Sequence, residues 1–149
     1  MIGINLYKAP PYLLEKINTI CRLLWQGKKE YEQVAGTVTD KDLRRTMLSL
    51  AQESNQYACE LSSQIHTLGG TPEIENNEAV ITPEIKSLNG EEEIIALCQN
   101  NEKKLLSAYR EILKESYLYK GLRKMICYQL NEMLCAFTQA EQIGNLKFH

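Results

Sequence analysis

The stretch from Asp40 to Gly70 sets the size and class of whatever this chain folds into. Leu43, Met47, Leu50, Tyr57, Leu61, Ile65 and Leu68 recur at spacings of three and four, and Ser54 takes one place on the same line. That rhythm belongs to a helix with one apolar face. Thr39 or Asp40 can accept from the free N–H groups at its start, Asp40 and Asp42 suit the positive end of its dipole, and Gly69-Gly70 before Pro72 stops it. About 29 residues rising 1.5 Å each make a rod of roughly 43 Å. A stripe that long needs partners of similar length.

The sequence supplies three. A first helix over about 12–36 carries Leu13, Ile17, Ile20, Leu24, Tyr31, Val34 and Val38, with Gly27 on the same stripe as the mark of a close helix–helix approach. The organising helix follows over 40–68, after a turn so short that the two must lie antiparallel. A third helix over 91–115 opens on three glutamates and presents Ile95, Cys98, Glu102, Leu105, Tyr109 and Ile112. A fourth over 118–144 presents Leu122, Ile126, Gln129, Met133, Ala136, Ala140 and Ile143. Residues 69–90, with two prolines, four glutamates and no sustained period, read as a long crossover between the pairs.

The two pairs repeat one another. Tyr31 and Tyr109 stand 78 residues apart, while Leu43-Arg44-Arg45 and Leu122-Arg123-Lys124 stand 79 apart, as do Glu53 and Glu132. The expectation is an all-α chain, one domain over 1–149. It is an antiparallel four-helix bundle made of two helical hairpins joined by a long crossover, since neither half is large enough to bury a good core alone.

Charge and cysteine usage narrow the function classes. Lys and Arg number 17 against 19 Asp and Glu. That balance gives no basic surplus for nucleic acid. No apolar run reaches the roughly 18 residues of a membrane span, and the first residues lack the pattern of an export signal. The five cysteines, Cys21, Cys59, Cys98, Cys127 and Cys135, show no paired metal-ligand spacing. They are expected to be buried, reduced thiols of a cytoplasmic protein. His66, near the end of the second helix, reads as a surface residue, and Trp25 as part of the core or of a dimer interface.

Several motifs resemble those of a ferritin-like four-helix-bundle family of bacterial proteins, described as a domain of unknown function. They are G-x-x-x-Y-x-x-x-A at Gly27, Tyr31 and Ala35, then Gln56-Tyr57-x-x-x-Leu61, Leu68-Gly69-Gly70-x-Pro72, and later Glu102, Tyr109 and Leu113. The resemblance covers about residues 13–143 and implies a ferritin-like bundle that often self-associates. It implies no reaction.

Ferritin-like di-iron proteins carry one glutamate on each of two helices and a Glu-x-x-His pair on each of the others. By the resemblance, those pairs read Glu53-Ser-Asn-Gln56 and Glu132-Met-Leu-Cys135 here, so both histidines are missing. The lone glutamates fall near Ile20, Cys21 and Gln99, none of them acidic, with Glu102 as the nearest replacement and Glu30 a poorer one.

Two or three carboxylates without imidazole compensate two ferrous ions incompletely. The favoured expectation is therefore a polar network. Glu53 and Glu132 would flank the seam and reach solvent, Arg44, Arg45 or Lys124. Glu102 would find a donor among Gln56, Gln129 and the hydroxyls of Tyr31, Tyr57 and Tyr109.

The leading functional expectation is a non-enzymatic scaffold or interaction protein without a cofactor, a homodimer through Tyr7, Tyr12, Tyr117, Tyr119 and Tyr128. The alternative is a protein that binds or oxidises iron, or holds another divalent metal, through Glu53, Glu102 and Glu132. Gln56, Cys135 and Gln129 would then be outer ligands.

Overall fold

The computed structural model describes residues 9–73 and 90–148, with only the backbone described at Glu91 and over 145–148. Among the described residues four helices form: α1 (Pro11–Ala35), α2 (Lys41–Thr67), α3 (Glu91–Leu113) and α4 (Lys120–Phe148). Pro11 starts α1 where a missing N–H costs nothing. The Asp40 carboxylate caps α2 by accepting from the Leu43 N–H at 2.9 Å, as the sequence led one to expect. Gly69 ends α2 at φ 84°, a left-handed conformation that lets the Gly70 N–H return to the Ile65 carbonyl.

Each helix packs on two neighbours: α1 on α2 and α3, and α4 on α3 and α2. Lys16, early in α1, reaches Glu115 just beyond the end of α3, whereas Tyr31, late in α1, meets Asn101 in the middle of α3. The pair α1–α3 is therefore antiparallel. Gln129 on α4 reaches Glu60 on α2, and Tyr119 reaches Gln64, so α2–α4 is antiparallel as well. The result is an all-α antiparallel four-helix bundle of two hairpins, with α2 finishing at the end of the bundle opposite the start of α3.

The expected crossover mostly lies outside the described residues. Where its first residues are described they turn back along α1: Asn18 accepts from the Glu73 N–H at 2.9 Å, and Arg22 pairs with Glu73 at 2.7 Å.

The seams of α1 and α2 are buried at every expected position, from Leu13 to Val38 and from Leu43 to Leu68. Three shifts occur in the second hairpin. Ile94 is buried and Ile95 only half so, Phe137, not Ala136, fills the centre of the bundle from α4, and Gly144 is buried while Ile143 is half-buried. Gly27 does not mark a helix–helix approach; the Cβ it lacks would stand 3.2 Å from the Tyr31 ring, which leans back one turn along the same helix.

Gly144 does not end α4, because it is the bare spot against which Ile95 of α3 closes. Only two thiols, Cys21 and Cys98, are buried, while Cys59, Cys127 and Cys135 are exposed on the outer faces of their helices. His66 is exposed in the last turn of α2.

The sequence repeat has a structural counterpart at the hairpin turns. Arg44 donates to the Val38 carbonyl at 2.7 Å, and Arg123, 79 residues on, donates to the carbonyls of Leu113 and Glu115. Each guanidinium braces the turn that precedes its own helix. Arg44 is thereby engaged away from Glu53, and Arg45 sits 3.8 Å from Asp42, so the expected arginine partners of Glu53 are used elsewhere.

Candidate functional site

A carboxylate inside a bundle stays charged only if donors or cations meet it. Four half-buried glutamates beside the seams meet one another instead. Glu53 on α2 lies beside Glu132 on α4. Burial, and then the Glu132 charge, push the Glu53 carboxyl above the usual range. One Glu53 oxygen is buried without a hydrogen-bond partner.

Glu102 on α3 shares a hydrogen bond with Glu141 on α4, not with an amide or phenol. Burial first, and then that bond and the Glu141 charge, raise Glu102 to about 7. Near neutrality Glu102 is therefore partly protonated, and in that form its hydroxyl can donate to Glu141.

Glu53, Glu102 and Glu132 thus divide between two pairs. Among the described residues no three His, Cys, Asp or Glu side chains come together as ligands for one ion. Gln56 and Cys135, the residues at the histidine positions, are both exposed. This donor set does not fit a di-iron centre, which asks for carboxylates and imidazoles converging from four helices.

An amide occupies the core between α2, α3 and α4. Gln129 is fully buried. Its oxygen accepts from the Tyr109 hydroxyl at 2.9 Å, and its nitrogen donates to Glu60 at 3.0 Å and to the Tyr57 carbonyl at 3.5 Å. Gln56 donates to the other Glu60 oxygen at 3.2 Å. A glutamine that ties three helices through its oxygen and both its N–H groups is fully satisfied. Burial pushes the Tyr109 hydroxyl far above its usual value, so it stays a donor.

A second set lies between α1 and α3, where Asn101 donates to Glu30 at 2.9 Å and to the Tyr31 hydroxyl at 3.2 Å. Burial also pushes the thiols of Cys21 and Cys98 up to about 12, which leaves them protonated and unreactive.

The polar network around Gln129 and Tyr109 is not the one expected from sequence: Glu53, Glu102 and Glu132 stand outside it, and its carboxylate is Glu60, which the seam pattern does not reveal. Glu60 lies four residues after Gln56, a spacing that makes helical neighbours, and that was the available signal. The partnership of Glu102 with Glu141 depends on the register of α3 against α4, which no local pattern carries.

A family model described as "Domain of unknown function (DUF2383)" matches residues 13–115. The chain belongs to this family. Among curated proteins none matches it. The DUF2383 span takes in α1, α2 and α3, with Tyr31, Glu53, Glu102 and Tyr109, and stops before α4. The α4 partners Gln129, Glu132 and Glu141 lie beyond the matched DUF2383 residues.

Proposed function

We propose that this DUF2383 protein is a non-catalytic ferritin-like bundle of the bacterial cytoplasm. It acts as a self-associating scaffold in which hydrogen bonds have replaced the ligands of a di-iron site. The observation that carries this reading is the fully buried Gln129, which joins α2, α3 and α4 through hydrogen bonds and, with Gln56, supplies donors to the Glu60 carboxylate. A metal there would have to break those bonds, and the carboxylates nearby are committed in pairs.

The antiparallel hairpin order matches what the resemblance implies. No helix among the described residues is long and apolar enough to cross a membrane. Self-association is supported by exposed apolar surface. Tyr12, at the start of α1, lies at the same end of the bundle as Tyr117 and Tyr119 in the α3–α4 turn, and Tyr117 is 86% exposed. Tyr128 adds exposed ring surface on α4, and Tyr7 lies outside the described residues.

One observation favours a second reading, a divalent ion held between Glu53 and Glu132: the buried Glu53 oxygen without a partner. Metal content by mass spectrometry, before and after aerobic ferrous loading and desalting, separates the two. The expected result is no retained metal, together with a dimer by light scattering that Tyr117→Ser shifts toward monomer. Retention of about one or two ions per chain, lost in the Glu53→Ala, Glu132→Ala double variant, would replace the scaffold with a metalloprotein.

A further inference from the structure

The two hairpins differ at one level of the bundle, and the difference leaves space. Gly27 and Ser54 hold seam positions at which the second hairpin, 78 and 79 residues on, has Leu105 and Met133. Tyr31 leans over Gly27 but does not fill the gap. A cavity of about 380 Å³ remains between α1 and α3.

Its floor is buried and mostly apolar, made by Leu24, Tyr31, Ser54 and Phe137, and its rim reaches solvent at Asn100 and Lys104. This volume falls in the range of small-molecule sites, and so does the combination of an apolar floor with a few polar groups at the mouth. Left dry and empty, such a void would forfeit much of the stability of a domain this size. Water satisfies the rim and can meet the hydroxyls of Tyr31 and Ser54, but the Leu24 and Phe137 side chains offer it no partners.

The charges at the mouth are asymmetric. Glu30, on the α1 side, already accepts from Asn101. Lys104, on the α3 side, has no ion-pair partner among the described residues. It also lines an adjoining recess of about 600 Å³ with Lys103 and Lys16, and of these Lys16 is engaged by Glu111 and Glu115. The cleft therefore offers an apolar interior, one available ammonium at its mouth, and a carboxylate on the far side that disfavours a second anionic group.

We propose that the α1–α3 cleft binds a small amphiphilic carboxylate, its acyl or aromatic body lying between Leu24 and Phe137 and its carboxylate paired with Lys104. The proposal is independent of the scaffold reading, because it uses none of the paired glutamates and survives any outcome of the metal measurement.

Isothermal titration with decanoate and with 1-naphthoate, backed by displacement of anilinonaphthalene sulfonate, tests it on the full-length protein. Saturable binding of about one molecule per chain is expected for at least one of the acids, and which of them binds assigns the body as acyl or aromatic. Lys104→Glu should weaken it at least about tenfold, and Leu97→Trp, which fills the half-buried wall, should abolish it. Lys124→Glu, an exposed change on α4, should shift affinity by less than about twofold. Circular dichroism confirms that each variant is folded. Absence of binding by both acids at about 1 mM would overturn the proposal. So would equal loss in Lys104→Glu and Lys124→Glu, or equally tight binding of decyltrimethylammonium.

Discussion

Burial, and then the Glu141 carboxyl facing it in place of a cation, raise Glu102 toward neutrality. The folded carboxyl titrates at about 7 against a usual 4.5. Between those values the folded chain keeps a proton that the unfolded chain has released. Rising pH therefore lowers stability across that window, and the loss is complete above about pH 7. Glu53, shifted in the same direction, adds a contribution of the same sign. Glu102→Gln keeps a hydrogen-bond donor for Glu141 and removes the charge. Urea unfolding at pH 5 and pH 8 should show the wild type losing stability at the higher pH, and the variant should lose about 1 kcal/mol less, a figure discounted for solvent screening. An identical pH dependence in both proteins would mean that the pair is not coupled. A carboxyl on a seam was legible from the three-four rhythm, but its partner was not, because the partner is chosen by the register of two helices far apart in sequence.

The ends of helices were legible where a side chain or a glycine acts locally. Asp40 caps α2 and Gly69 stops it, as one turn of sequence is enough to show. Helix phase was less so. The adjacent isoleucines 94 and 95 are equally apolar, and Ile94 faces the core because Ile95 is turned toward Gly144 of α4. Phe137, four residues after Met133, outcompetes Ala136 for the centre by size alone, a choice visible in the sequence once bulk is weighed with spacing. At Gly144 an added Cβ would stand 2.3 Å from Ile95 Cδ1 and 2.7 Å from Cγ1, distances no side chain tolerates without moving. Alanine should gain up to about 1 kcal/mol of helix propensity and lose about 1–3 kcal/mol to overpacking. Gly144→Ala is thus expected to destabilise by about 1 kcal/mol. With Ile95→Ala beneath it the same change should become neutral or stabilising, and a double-mutant cycle by denaturant unfolding measures the coupling. Additivity of the two changes would show that α3 and α4 do not meet at this point.

The two hairpins are bound together by groups that neither can satisfy alone. Tyr31 of α1 makes an edge contact with Phe137 of α4 at 6.4 Å, and Tyr57 of α2 meets Tyr128 of α4 in the same way. Gln129 gives its N–H groups to the first hairpin and takes its hydroxyl from the second. Lys16 reaches across to Glu115. Separated, each hairpin would expose a full apolar seam, and the second would also keep an amide whose acceptors had left. A pair of helices has too little buried surface to offset the entropy of ordering them. Fragments 1–80 and 81–149 should therefore each lose most of their far-ultraviolet helical signal when made separately, and should recover it as a one-to-one complex when mixed. A fragment that retained the full signal and unfolded cooperatively by itself would show that one hairpin is the folding unit. The interface between hairpins would then be an association of finished parts, and the expectation of one domain over 1–149 would fail in the thermodynamic sense.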